Sequence, residues 1–547
     1  MTGSSLLASS WASPRALAFL FLLWLLTLAG IEFHPLEKHE AFVLATAQEM
    51  QTGGDWILPR YNEELRLQKP PLSYWATMLV AAADPFSADI QIHHGRFVSL
   101  LAVLLMALLT ARAGSRLYGK EAGLLAALFL LCTNGMLNYA HSARPDMLYA
   151  AFCTLQLFAW ADAWQADAPS RQVRAAWLGW AAAGLATLTK GPQAPALILA
   201  GVLIFLVSGP DRRRALQTLR PFSGAALFCL LVLPWWLLLQ HRLKALGVNI
   251  EESQLSGSLL LQLPSWKELL RVYYPWQSFA QMLPASLLLL GIVPGLIKRP
   301  SAVLPATRLL LTVSLLYLVV FTFGGQYRKH YLLPLLPVFS VLLAAYLPAI
   351  PFGGLNRRAR RALAAAGAAA ALAAAALMAW AGAYAMLAVY AASGFLLVRL
   401  LLREPGGAAE APAALARLLL PVTSGLVLLG AVYAAYSPQM LPHVVEQRFL
   451  KHLGPELPEN ARLVCWKTSI DTLPYYYRSP VAKVTNHVDL ANLLDAPPQG
   501  RPLFVVLSDR ELPAFSESFR NRLVQTAEDA PRQKTKLCLC EVLGRQN

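Results

Sequence analysis

The feature that most constrains this chain is a succession of uninterrupted apolar runs, each long enough to cross about 30 Å of hydrocarbon as a helix. Thirteen can be marked, at about 16–32, 97–116, 121–140, 146–165, 174–190, 193–208, 221–240, 275–297, 307–324, 331–350, 361–379, 382–402 and 415–436. Backbone in lipid must satisfy its own hydrogen bonds, so the runs predict a polytopic α-helical membrane protein of about 13 transmembrane helices. Composition agrees: 56% of the 547 residues are hydrophobic and 14% charged, where a soluble chain carries roughly a quarter charged.

The first run, Ala16 to Ile31, follows Arg15 and ends in Glu-Phe-His-Pro with no small-residue cleavage site, so it reads as a retained signal anchor. The formal charge of +16 lies mostly in arginines of short loops, a mark of helix orientation rather than of nucleic-acid binding. Basic residues recur in alternate loops: Arg112, Arg116 and Lys120; Arg171 and Arg174; Arg212, Arg213, Arg214 and Arg220; Lys298, Arg299 and Arg308; Arg357, Arg358, Arg360 and Arg361; Arg403 and Arg417. This pattern puts the N-terminus in the cytoplasm, and an odd number of spans puts the hydrophilic tail on the other side.

Residues 1–436 thus form a membrane domain with outer-side loops at 33–96 and 241–274, and 437–547 form a small periplasmic α/β domain. Leu463–Trp466, Val481–Val484, Leu503–Leu507 and Lys536–Val542 read as its strands, with helix-like stretches at Val488–Leu494 and Glu511–Leu523. In the first outer loop, Glu40–Gln51 places Val43, Ala47 and Met50 on one stripe, which fits an amphipathic helix lying on the membrane surface. Lys69-Pro70-Pro71 then opens a short apolar segment that Asp84-Pro85 interrupts before it can span. Cys132, Cys153 and Cys229 fall in apolar runs as small hydrophobes. Cys538 and Cys540, in Leu-Cys-Leu-Cys, are read on opposite strand faces, so that one of them can bridge to Cys465 if the tail is extracytoplasmic.

Charges that orientation does not explain carry the functional expectation, because a charge at membrane depth needs a partner or a ligand. Asp55, Lys69, Arg144, Asp146, Lys190, Arg328 and Lys329 all fall in or beside outer loops. Asp55, in Gly-Gly-Asp-Trp, suits a general base, or else a turn carboxylate. Glu40 either shares the cavity or supports Asp55, or else faces solvent from its helix. Arg328-Lys329-His330-Tyr331 breaks the inner-side charge trend and suits a phosphate, or else two snorkelling anchors. Lys69 and Lys190 add cations at proline-rich breaks, and Asp146 either caps its helix or pairs with Arg144 or Lys190. His93, His94 and His330 have no carboxylate at a metal-ligand spacing.

These residues together resemble the GT-C glycosyltransferases of the protein O-mannosyltransferase group, and among them the bacterial lipid A aminoarabinose transferases. The match rests on Glu40, the Gln-Glu-Met of 48–50, Gly54-Asp55-Trp56, Pro59, Lys69-Pro70-Pro71 with Tyr74-Trp75, Arg96, Arg144-Pro145-Asp146, Thr189-Lys190-Gly191-Pro192, Leu233-Pro234-Trp235 and Arg328-Lys329-x-Tyr331-Leu-Leu-Pro, spread over residues 1–345. The resemblance implies a GT-C fold and an inverting transfer at the periplasmic face of a bacterial inner membrane. The donor would be a sugar on undecaprenyl phosphate, and the acceptor lipid A or another envelope molecule. It gives Asp55 the base role with Glu40 beside it, and sets Lys69, Arg328, Lys329 and Tyr331 on the donor phosphate, with Arg144, Asp146 and Lys190 in support.

Two departures stand out. His39-Glu40 replaces the Asp-Glu usual at the start of the amphipathic helix, and Asn249-Ile-Glu-Glu-Ser-Gln-Leu stands where lipid A transferases often carry a His-x-x-Arg-Phe-like segment. The acceptor therefore need not be lipid A, and a protein hydroxyl or another surface glycan is the alternative. No nucleotide is required, and a divalent metal ion is compatible with the sequence without being implied by it. A transporter or flippase would show repeated halves and broken helices at the midplane. A scaffold protein would leave the outer cations without a use.

Overall fold

The computed structural model describes most of residues 36–248 and 273–347 and, towards the C-terminus, strands and a short helix between 461 and 542. The expected spans at 16–32, 361–379, 382–402 and 415–436, most of the outer loop 241–274, and the helix-like stretches Val488–Leu494 and Glu511–Leu523 lie outside the described residues or almost so.

The segment before the bundle holds helix α1 (Lys38–Gly53), a two-residue-per-strand hairpin of β1 (Arg60–Tyr61) and β2 (Glu64–Leu65), and helix α2 (Leu72–Ala82). The bundle follows: α3 (Ile92–Tyr118), α4 (Lys120–Leu131), α5 (Asn134–Ala140), α6 (Pro145–Trp164), α7 (Pro169–Lys190), α8 (Gln193–Val207), α9 (Pro221–Ala245), α10 (Tyr273–Gln281), α11 (Pro305–Phe323), a 3-10 segment (Lys329–Leu335) and α12 (Leu336–Tyr346). Among the described residues four helical segments are long and apolar enough to cross a membrane: α3, α9, α11 and Lys329–Tyr346. Taking the pair α4 and α5 as one span, bent by 56°, makes up to five. The bend falls at Thr133, whose hydroxyl accepts from the Met136 N–H and so starts a new helix. The run 275–297, expected as one span, instead begins as the short α10 followed by a 3-10 turn at Ala285–Leu288.

Helices α6 and α7, of 20 and 22 residues, are as long as a span but less apolar. They are antiparallel neighbours. Gly179 lets α7 close on the Trp160 indole, which a side chain there would strike at 2.3 Å, and Trp160 Nε1 donates to the Ala176 carbonyl at 3.3 Å. Leu230, Leu237, Leu238, Leu311 and Leu315 remain exposed on α9 and α11. Large apolar side chains left open on long apolar helices are what a surrounding bilayer covers.

Helix α1 departs from the surface helix expected of it. Ala41, Leu44, Ala45 and Thr46 are buried along with Val43, Ala47 and Met50. Small residues on the supposed polar face let other elements close on it, and Leu44, Tyr74, Ile90 and Tyr475 share one core.

The tail forms a five-stranded sheet in the order β4-β3-β5-β7-β6, with β3 (Arg462–Trp466), β4 (Val481–Val484), β5 (Leu503–Ser508), β6 (Leu523–Glu528) and β7 (Leu537–Val542). The first three in that order run parallel, and the β5–β7 and β7–β6 pairs are antiparallel. Four of the strands match the sequence expectation. Strand β6 does not, because Leu-Val-Gln-Thr-Ala-Glu carries little apolar alternation. The cysteine reading is also corrected: residues two apart in a strand share a face, so Cys538 and Cys540 both pack with Trp466 and Val505, while Cys465 lies on the opposite face. All three are free.

The sheet is fastened to the segment that carries α1 and the hairpin. Tyr61 Oη donates to the Asp471 carbonyl at 2.6 Å, Lys38 pairs with the Asp471 carboxylate at 2.6 Å, and the Asn62 amide bonds both the N–H and the C=O of Val481, at 2.7 and 3.0 Å.

Candidate functional site

Asp146 opens α6 and Lys190 closes α7, so the antiparallel pair brings both to one end of the bundle. Gly191, at φ 115°, a conformation open to glycine, lets the chain leave α7 and turn at once into α8. Tyr149 Oη fixes that turn, donating to the Gly191 carbonyl at 3.2 Å and accepting from the Ala194 N–H at 2.9 Å.

The Asp146 carboxylate is 3% exposed and takes Lys190 Nζ on Oδ1 at 2.5 Å and Arg144 Nε on Oδ2 at 2.9 Å. Arg144 Nη2 also donates to His330 Nδ1 at 3.3 Å. Since Arg can only donate, His330 presents a lone pair at Nδ1 and carries its proton on Nε2, 4.0 Å from Asp146 Oδ1. Lys190 Nζ lies 5.0 Å from the centre of the Tyr331 ring. Lys69 is close enough to feel the charges of Lys190, Asp146, Arg66 and Arg144, and burial first, then Lys190, push its pKa down to about 8. The buried Asp146 carboxylate is thus bonded to two cations, with Lys69 near enough to feel their charge, and such a cluster of cations suits an anion with several oxygens.

The segment carrying Arg328-Lys329-His330-Tyr331 is braced from three sides: Tyr317 Oη donates to the Tyr331 carbonyl at 2.9 Å, Gln281 Nε2 to the Lys329 carbonyl at 2.6 Å, and the Arg328 N–H to Tyr274 Oη at 3.3 Å. This turns His330 and Tyr331 towards Asp146 and leaves Arg328 and Lys329 exposed. Sequence reading weighed His330 only as a metal ligand; its contact with Arg144 needed the fold.

Glu40 is not on a solvated helix face; it lies against Ala143, the residue before Arg144. It is 1% exposed and receives Arg96 Nε and Nη2 at 2.9 and 3.0 Å, the Ala143 N–H at 2.7 Å and the Glu37 N–H at 3.0 Å. With both oxygens occupied it ties α1 to α3 and to the strand of chain leading into Arg144. Asp55 is also a turn carboxylate by its contacts: Oδ1 accepts from the Ile57 and Leu58 N–H groups at 2.9 and 3.2 Å. Among the described residues no cation pairs with it.

Among the described residues one group has metal-ligand chemistry, Asp84 with His93 and His94, its ligand atoms within 4.8 Å of one another. The fold thus supplies the carboxylate that sequence spacing did not. Yet His94 Nδ1 accepts the Gln91 N–H at 3.0 Å, so Nε2 carries the proton and donates to Asp84 Oδ2 at 2.9 Å. A metal needs that lone pair, and the arrangement fits a helix cap better than a metal centre. The hydrogen bond from His94, and then that from the Phe86 N–H, hold Asp84 down to about 2.

The dolichyl-phosphate-mannose-protein mannosyltransferase family matches residues 68–238. An uncharacterized protein of Aquifex aeolicus is 28% identical over 56% of this chain and 59% of its own length. The undecaprenyl phosphate-alpha-4-amino-4-deoxy-L-arabinose arabinosyl transferase of Yersinia pestis is 25% identical over 62% of this chain and 60% of its own. The matched region thus spans about six tenths of each relative. ArnT from Cupriavidus metallidurans superposes over 96% of this chain and 97% of its own with a TM-score of 0.71 at 18% identity, and its undecaprenyl phosphate complex with a TM-score of 0.68, again at 18% identity, over 98% of both chains. The chain has the GT-C glycosyltransferase fold and is similar in it to ArnT.

Proposed function

We propose that this chain is an integral membrane glycosyltransferase that moves a sugar from undecaprenyl phosphate to an acceptor at the periplasmic face of a bacterial inner membrane. In this reading the N-terminus is cytoplasmic, the C-terminal domain periplasmic, and the favoured transfer is of an aminoarabinose-type sugar to lipid A. The carrying observation is the pair of cations bonded to the buried Asp146, Arg144 and Lys190, whose charge the half-buried Lys69 also feels. The similarity of the fold to ArnT bound to undecaprenyl phosphate supports this choice of anion.

As the bond from the anomeric carbon to phosphate breaks, negative charge grows on the departing polyprenyl phosphate. Lys69, Lys190 and Arg144 are preorganised to receive it, with Tyr331 against the Lys190 ammonium. Asp146 keeps two of these cations in place and limits their mutual repulsion. Arg328 and Lys329, exposed at the edge, meet the donor headgroup first. The family match to mannosyltransferases acting on proteins favours a second reading, with the same donor chemistry and a protein hydroxyl as acceptor.

Mass spectrometry of lipid A, envelope glycans and envelope proteins from cells with and without the gene tests both. Loss of the sugar from lipid A supports the first, and loss from proteins or glycans the second. An unchanged envelope with normal expression of the protein rejects the enzyme reading.

A further inference from the structure

His330 carries a polar atom that the ion pairs of Asp146 leave unused. Its backbone is fixed on both sides, since Gln281 Nε2 donates to the Lys329 carbonyl at 2.6 Å and Tyr317 Oη to the Tyr331 carbonyl at 2.9 Å. Its ring is held edgewise between two others: that of Tyr331, with centroids 4.8 Å apart and planes at 85°, and that of Tyr139, at 6.5 Å and 76°. Tyr139 also faces Arg144, whose guanidinium carbon lies 5.5 Å from the ring centre. The imidazole therefore has little freedom to turn.

Arg144 sets which ring nitrogen bears the proton. Its Nε is taken by Asp146 Oδ2, and its Nη2 donates to His330 Nδ1. That bond holds only while Nδ1 is unprotonated, so the ring is neutral with its hydrogen on Nε2. Among the described residues nothing accepts this N–H: Asp146 Oδ1 stands 4.0 Å away, too far for a hydrogen bond, and already takes Lys190 Nζ at 2.5 Å. The side chain is partly open to solvent, so a ligand can reach it.

We propose that His330 binds the phosphate of the polyprenyl-phosphate donor through its Nε2–H, a deduction that rests on the glycosyltransferase reading above. Lys190 Nζ and His330 Nε2 both lie within 4.0 Å of Asp146 Oδ1, close enough for one phosphate to touch both. The two donors act differently. An ammonium on a flexible stem supplies charge with little direction, whereas an N–H locked by Arg144 and two tyrosine rings points along one line and fixes how the phosphate sits. As the bond from the anomeric carbon to the phosphate oxygen breaks, the hydrogen bond strengthens with the charge growing on the phosphate. The proton stays on Nε2 throughout.

The test uses the full chain purified in nanodiscs, with undecaprenyl phosphate as ligand. Two variants separate the ring nitrogens: a Gln carboxamide reaches the place of Nε2 and can donate there, whereas that of Asn reaches only the place of Nδ1. His330→Asn should weaken undecaprenyl phosphate binding about 10-fold to 100-fold, the loss expected of a hydrogen bond to a charged group, with its unfolding midpoint unchanged. His330→Gln should stay within about threefold of wild type. Transfer should follow the same order, read as the envelope product that gene deletion removes and complementation at equal protein level restores. A ring needed only for packing would not be replaced better by Gln than by Asn. In wild-type protein carrying isotope-labelled histidine, the nitrogen resonance that His330→Gln lacks should report a hydrogen on Nε2 and should move when undecaprenyl phosphate is added. Equal binding by His330→Asn, a His330→Gln as weak as His330→Asn, or a resonance that the ligand leaves in place overturns the assignment. No binding of undecaprenyl phosphate by the wild-type protein would instead overturn the reading on which it rests.

Discussion

The two ends of α6 carry the same chemistry in opposite settings. At the N-terminal end Asp146 meets Arg144 and Lys190; near the C-terminal end, sixteen residues or about 24 Å away, Asp162 meets Arg112 at 3.0 Å, Arg116 at 2.5 Å and Arg171 at 3.9 Å. Each end is a single carboxylate with a surplus of cations. Asp146 is 3% exposed with partners 9–14% exposed, whereas Asp162 is 18% exposed and Arg112 and Arg171 are 38% exposed. The helix dipole separates them further: a carboxylate is favoured at a helix N-terminus and disfavoured in a last turn. The more open arginines around Asp162 have water to solvate them, while the cations on Asp146 are enclosed; under the proposed function an anion uses them.

The largest effect should come from Asp146→Ala. Removing it strands Lys190 and Arg144 in a buried setting, so unfolding in detergent should show a loss of about 3–5 kcal/mol. A loss no greater than that of an exposed pair would place the two ends in the same class. Smaller, and specific to the outer end, is the pH response of Lys69. Its pKa is lowered to about 8, so the charge is present below pH 8 and is lost as pH rises through it. Undecaprenyl phosphate, already a dianion by pH 7 since its second pKa is near 6, should therefore bind several-fold more weakly at pH 9 than at pH 7. Lys69→Arg keeps its charge across that range and should flatten the response; an equal slope in the variant would remove Lys69 from the donor site. Smaller again is Arg328→Gln with Lys329→Gln. Both side chains are exposed, so donor binding should weaken by about twofold to fivefold at low salt and hardly at all at 0.5 M. A deeper, salt-independent loss would put them inside the site.

The contrast between these ends was half legible in the sequence. Charges outside the inner-side pattern pointed to Arg144, Asp146, Lys190 and Lys69, since the price of a charge in lipid leaves few reasons for one to be there. The spacing of four tail strands was equally plain. What the sequence could not give was the setting of each carboxylate. Glu40 is fully bonded by backbone N–H groups and by Arg96, 56 positions along the chain, while Asp55 takes two N–H groups on one oxygen, and no local pattern encodes those contacts. His330 was passed over for the same reason: its partner Arg144 is 186 residues away. Helix α1 was misjudged because large apolar residues define a stripe, while burial of Ala41, Ala45 and Thr46 depends on what closes over them.

The smallest effect should follow Asp162→Ala, and it is the one that most directly probes the comparison. Without the carboxylate the inner end holds Arg112, Arg116 and Arg171 with no local counter-charge. Their side chains are already 19–38% exposed and can extend to water. Repulsion among them falls off over a Debye length of about 8 Å at physiological salt. Stability should therefore drop by less than about 1 kcal/mol, with undecaprenyl phosphate binding and envelope modification unchanged. Lowering the salt should enlarge the loss, since the screening would weaken while the donor site stays as it was. If Asp162→Ala instead matched Asp146→Ala in stability, or reduced donor binding, the inner arginines would be holding something, and exposure would no longer separate the two ends.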